Sequence, residues 1–157
     1  MATPAEALWE INNEYRKRLS LLMGHLKLLE QLLIQQPDTG PTLRMVLRNL
    51  RAMLEDADAD HHTWRHTYYY QAGDDVARRR MVDDPAAVRR ALTEFTVMLS
   101  QHTPQFVRAY SMFTGLPRPP EHLTRLVKDN DLWAMCLTEL QALVFFDRFV
   151  AGVLETV

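Results

Sequence analysis

The stretch LRMVLRNLRAMLEDADADHHTWRHTYYY, residues 43–70, decides the fold. Leu43, Leu47, Leu50, Leu54, Ala57, His61, Trp64 and Tyr68 follow one another at alternating steps of four and three. Two turns of an α-helix take about seven residues, so this spacing keeps one face turned toward neighbouring helices. Midway along, the sequence becomes Asp56-Ala-Asp-Ala-Asp-His-His62. The seam therefore stops being a simple apolar core near His61, and a site is expected there.

The same periodicity extends in both directions. A first helix is predicted from about Pro4 to Gln36, with Leu8, Ile11, Tyr15, Leu19, Leu22, Leu26, Leu29 and Leu33 on one face. The breakers Gln36-Pro-Asp-Thr-Gly-Pro41 end it, and the second helix starts with Pro41 or Thr42 in its first turn and runs to about Ala72. Gly73 with Asp74 and Asp75 supplies a stop, and residues 74–82 are read as a short extra helix. Asp84 and Pro85 then open a third long helix whose face carries Val88, Leu92, Phe95, Leu99, His102, Phe106 and Phe113. Pro104 removes a backbone donor and predicts a kink, with Thr103 as an N-cap for the restart.

Gly115-Leu-Pro-Arg-Pro-Pro120 is a loop, and a fourth helix is expected from Pro120 or Glu121, with Asp129-Asn-Asp131 offering a break. From Leu132 to Leu154 this segment is apolar on most of its circumference, so it belongs either to a central core or to a shared surface. Four helices offer no enclosed central position. Trp133, Phe145, Phe146 and Phe149, with Tyr69 and Tyr70 from the tyrosine run, are accordingly read as anchors of a homodimer or of a partner-protein interface. Only five glycines occur, and no segment reads as a strand.

Composition bounds the function. A chain of 157 residues that is 47% hydrophobic forms one domain, residues 1–157, without help from disulfides or structural metals. The net charge of -2 gives no general attraction for nucleic acid or an anionic membrane. The 132–154 segment is interrupted by Glu139, Gln141, Asp147 and Arg148, which a membrane span of about 20 apolar residues would not tolerate. The start of the chain lacks the cationic and apolar pattern of an export signal, and Cys136 has no disulfide partner in the chain. Together these features predict a cytoplasmic protein that contacts neither nucleic acid nor membrane. Cys136, between Met135 and Leu137, reads as a structural thiol.

The polar residues of the second helix suggest two constellations. Asp58, His62 and His66 lie on one stripe four residues apart, a spacing that suits a zinc, iron or manganese ion if His25, Glu30 or His102 completes the set. A solvated polar face has the same spacing. His61 and His102 replace aliphatic residues on their own seams, and with Trp64, Tyr68 and Tyr110 they would line a cofactor pocket; core histidines each satisfied by a carbonyl or hydroxyl are the plainer account. The His-x3-His pair resembles hemerythrin-like bundle proteins in that pair and in the four-helix architecture alone. Their His-x3-Glu and His-x4-Asp partners do not occur here, and neither does the Glu-x-x-His of ferritin-like di-iron bundles. The arginine stripes Arg44/Arg48/Arg51 and Arg78–Arg80 with Arg89 and Arg90 read as salt-bridged surface, or as contacts for an acidic partner or phosphate.

No glycine-rich phosphate loop, nucleophile elbow, His-Glu-x-x-His or paired-cysteine motif is present. The sequence thus predicts an all-α, up-and-down antiparallel bundle of four main helices. Its expected role is a non-catalytic interaction module, regulatory or assembling. The alternative is a metal- or cofactor-binding bundle with a sensing or redox function.

Overall fold

The computed structural model describes residues 2–35, 41–70, 84–118, 124–127 and 130–157. Helix α1 spans Pro4–Ile34; the Thr3 hydroxyl caps it by accepting from the Glu6 N–H at 3.1 Å, and Pro4 fills a first-turn position whose N–H would have no helical partner. Helix α2 spans Pro41–Trp64 and passes into a π-helical turn, Arg65–Tyr69. Helix α3, Pro85–Thr114, repeats the α1 start: the Asp84 carboxylate accepts from Ala87 N–H and Pro85 occupies the first turn. A short antiparallel pair, β1 (Arg125–Val127) and β2 (Asn130–Asp131), follows. Helices α4 (Leu132–Val144) and α5 (Phe146–Leu154) complete the order.

Cross-helix contacts set the directions. Tyr15 meets His61 while Glu30 pairs with Arg51, so α1 and α2 run antiparallel. Asp60 reaches His102 and Trp64 reaches Phe95, which makes α2 and α3 antiparallel. Phe113 stacks on Trp133 while Phe95 approaches Phe146, reversing direction again from α3 to α4 and α5. Arg18 to Glu139 and the Ala2 N–H to the Thr156 carbonyl close the ring between α1 and the α4–α5 arm. The chain is an all-α bundle with up-down-up-down packing. Among the described residues no helix is long and apolar enough to cross a membrane.

The core is the set of seams. All eight predicted α1 positions are at most 2% exposed. Burying each leucine there contributes about 2 kcal/mol. On α2, Leu47, Leu50, Leu54, Ala57, His61 and Trp64 are buried as their spacing requires. The phase then slips: Tyr69 is fully buried and Tyr68 only partly, because a π turn holds one residue more than an α turn.

Three expectations change. Helix α3 continues through Pro104 as one element, and the Thr103 hydroxyl, instead of capping a new start, donates to the Leu99 carbonyl at 2.8 Å. The last helix begins at Leu132 under an Asp131 cap, whose carboxylate accepts from the Trp133 N–H and the Thr124 hydroxyl, and it breaks once more at Phe145. Trp133 and Phe146 are each 2% exposed and Tyr69 is 0% exposed, so these rings serve the monomer's own core and are not available as surface anchors. The short helix predicted at 74–82, the Arg78–Arg80 cluster and the start near Pro120 lie outside the described residues.

Candidate functional site

The predicted polar step in the seam forms a buried hydrogen-bonded centre where α1, α2 and α3 meet. Tyr15, on the leucine face of α1, is its hub. The phenol lies 2.7 Å from Nδ1 of His102, and Nε2 of His102 lies 2.9 Å from Oδ2 of Asp60. A carboxylate only accepts, so Nε2 carries a proton and donates to Asp60; with that tautomer Nδ1 accepts from the Tyr15 hydroxyl. The result is a directed chain from a fully buried phenol, through a 2% exposed imidazole, to a carboxylate that is 64% exposed. Burial, followed by the charge of Asp60, raises the Tyr15 pKa well above its ordinary value and keeps the hydroxyl a donor.

His61 stands on the other side of Tyr15, edge-on at 5.1 Å between ring centroids, and stacks on Trp64 at 5.5 Å with the planes 13° apart. The Trp64 indole N–H donates to the Ala91 carbonyl at 3.1 Å and fixes the end of α2 against the start of α3. Nδ1 of His61 accepts from Arg65 Nη1 at 2.8 Å. Burial, then the charge of Arg65, depresses the His61 pKa to about 3, so the ring is neutral at neutral pH. Phe95, Phe106 and Phe146 pack around Tyr15.

The predicted residues divide accordingly. His61 and His102 both pack on Tyr15, a member of the leucine face of α1; Trp64 joins through His61, and Asp60, from the acidic run, joins through His102. Tyr68 lies apart, under the Arg90 guanidinium at 5.5 Å, and does not line the centre. His62 and His66 sit on the outer face with ring centroids 4.3 Å apart, and His66 leads on to Tyr70 at 5.1 Å. Asp58 does not complete a metal triad with them. Among the described residues, no three His, Cys, Asp or Glu side chains converge in a way that would hold an ion. Of the other candidate ligands, Glu30 is taken by Arg51 at 2.7 Å and His102 by the Tyr15–Asp60 chain. Cys136 is 1% exposed, and burial pushes its thiol up to about 12, which leaves it inert at neutral pH.

Of the predicted interface anchors, Phe145 remains outside, 41% exposed with the Arg148 guanidinium 4.4 Å over its ring, while Phe149 and Tyr70 are half-buried. A different apolar surface opens between α2 and α3. Val46, Leu50, Met53, Ala109 and Met112 line a groove of about 270 Å³, with Asn49, Gln105 and Arg108 among its polar groups. Met45, 55% exposed, lies one helical turn from Asn49 and extends this surface, and Met112 is itself 41% exposed. Sequence reasoning missed the groove because its residues sit on the edges of two seams, and only packing decides which edge is left uncovered. No protein-family model matches this chain, and neither a curated protein nor a solved structure shows a significant match to it.

Proposed function

We propose that the protein is a non-catalytic helical module that receives an amphipathic helix of a partner protein in the groove between α2 and α3. The observation that carries this reading is the methionine-edged groove itself. Met45, Met53 and Met112 are flexible, polarizable side chains of the kind that adapt to an incoming apolar face. Arg108 lies in the groove without an ion-pair partner among the described residues, and no carboxylate lines it. The fitting partner therefore carries leucine-like residues at helical spacing and an acidic residue opposite Arg108.

The test is a photo-crosslinking amino acid placed at position 112 and, as a control on the exposed α3 surface, at position 97. The two proteins are irradiated in the cells from which the chain derives. The reading predicts one discrete adduct from position 112, absent from position 97, whose crosslinked peptide is an amphipathic segment with an acidic residue. Met53→Glu should abolish the adduct. Equal adducts from both positions, or an adduct indifferent to Met53→Glu, would overturn it. An adduct to a second copy of this chain would replace the heterologous partner with a homodimer.

A further inference from the structure

The end of α1 and the arginine stripe of α2 enclose a concavity between those two helices. Arg44, Arg48 and Arg51 follow one another at steps of four and three, so they share one helical face, and all three line a cavity of about 210 Å³. Buried Leu33 and Leu47, with Ile34 at 64% exposed, supply its apolar wall. Among the described residues, Glu30 is the only carboxylate in that lining.

The three guanidinium groups differ in what they meet. Arg51 Nη1 lies 2.7 Å from Oε2 of Glu30 and its Nε lies 3.8 Å from Glu55, so carboxylates already neutralise it. Arg44 and Arg48 are exposed and form no ion pair among the described residues. They stand four residues apart, where like charges on a helix repel, and an anion between them removes that repulsion. A carboxylate would offset one of the two charges. A phosphomonoester carries about -1.5 to -2 at pH 7 and offsets both, and its oxygens accept from the fixed N–H fork of a guanidinium. The cavity is smaller than the roughly 300 Å³ at which pockets for drug-sized ligands begin, so the ligand is small. The apolar wall suits a carbon body attached to the phosphate.

We propose that Arg44 and Arg48 bind the phosphate group of a small phosphomonoester whose apolar ester group rests against Leu33, Ile34 and Leu47. Both guanidinium groups donate to phosphate oxygens, and Arg51, held by Glu30, bounds the site.

The experiment is a titration of the full chain with phenyl phosphate, inorganic phosphate and benzoate in turn, at constant ionic strength, followed by ¹H–¹⁵N NMR of the arginine side chains. The expected result is a saturable shift of the Arg44 and Arg48 Nε–H signals with phenyl phosphate, while that of exposed Arg89, at the far end of the bundle, stays in place. Phenyl phosphate should bind at least threefold tighter than inorganic phosphate and at least tenfold tighter than benzoate. Arg44→Gln and Arg48→Gln should each weaken it at least tenfold without lowering Tm, since both residues are exposed and each variant relieves a like-charge contact. Ile34→Ser should bring phenyl phosphate down to the affinity of inorganic phosphate and leave the latter unchanged. No saturable shift, equal shifts at Arg89, or binding that survives Arg44→Gln and Arg48→Gln would overturn the site. Benzoate binding as tightly as phenyl phosphate would overturn its selectivity for phosphate, and inorganic phosphate binding as tightly would overturn the ester contact. None of these results bears on the α2–α3 groove, which shares no lining residue with this cavity.

Discussion

Acid should unfold this protein through His61 more than through any surface group. The ring is fully buried, and its pKa falls from 6.5 to about 3, first through burial and then through Arg65. As pH falls, the unfolded chain takes up the proton near 6.5 while the folded chain refuses it until about 3. The stabilisation is therefore complete above pH 6.5 and lost progressively between 6.5 and 3. At pH 5 the loss is about 2 kcal/mol and at pH 4 about 3 kcal/mol, a slope approaching 1.4 kcal/mol per pH unit. Urea unfolding curves at pH 7, 5 and 4, for wild type and His61→Phe, isolate this contribution. The phenyl ring keeps the stacking on Trp64 and the edge contact with Tyr15, so the variant is less stable at pH 7 but flatter against pH. Equal pH slopes for the two proteins would refute the assignment of a neutral, buried His61.

Tyr15→Phe removes the donor to Nδ1 of His102 and leaves that nitrogen buried and unpaired, so the protein should lose about 2 kcal/mol and melt about 6 °C lower in calorimetry. A loss under about 0.5 kcal/mol would mean that the chain to Asp60 is not formed. Phe146→Ala should lose about 3–5 kcal/mol in urea unfolding, because the ring packs on Tyr15, Phe95 and Phe149. Phe145→Glu, at the exposed start of α5 beside Arg148, should change stability by less than about 1 kcal/mol and leave the native mass in light scattering unchanged. Cys136 should react with a thiol reagent at pH 8 only at the rate of unfolding, and prompt labelling of the folded protein would contradict its burial.

The helices were legible because their signal is local. A seam such as Leu8, Ile11, Tyr15, Leu19 is written within one segment, and so are the Thr3 and Asp84 caps. The polar steps at His61 and His102 are legible for the same reason, since each histidine interrupts its own apolar series. What completes that centre was not. Tyr15 passes for one more large apolar residue on a leucine face, and Asp60 for one acid among several on an exposed turn. Their bonds to His102 join positions 87 and 42 residues apart. The unpartnered amide of Asn12 and the unpartnered Nε–H of Arg65 emerge only once the helices enclose them. The π turn erased one prediction outright by exchanging Tyr68 for Tyr69 in the core. The apolar circumference of the last segment pointed outward because the break at Phe145 is not encoded by glycine or proline. With that break, α4 packs on α1 and α3, α5 packs on α1, and most of the apolar surface is used within the monomer.

The central claim, that the α2–α3 groove is the docking surface, is tested most directly by methionine-methyl NMR. Protein labelled with ¹³C at the methionine methyls is observed in buffer and then in clarified lysate of the cells from which it derives. The account predicts that the signals of Met45, Met53 and Met112 shift or broaden while that of buried Met98 keeps its buffer position, and that Met53→Glu restores the other two groove signals. Groove methyls that remain at their buffer positions and widths in lysate, or a uniform change across all methionines, would contradict it.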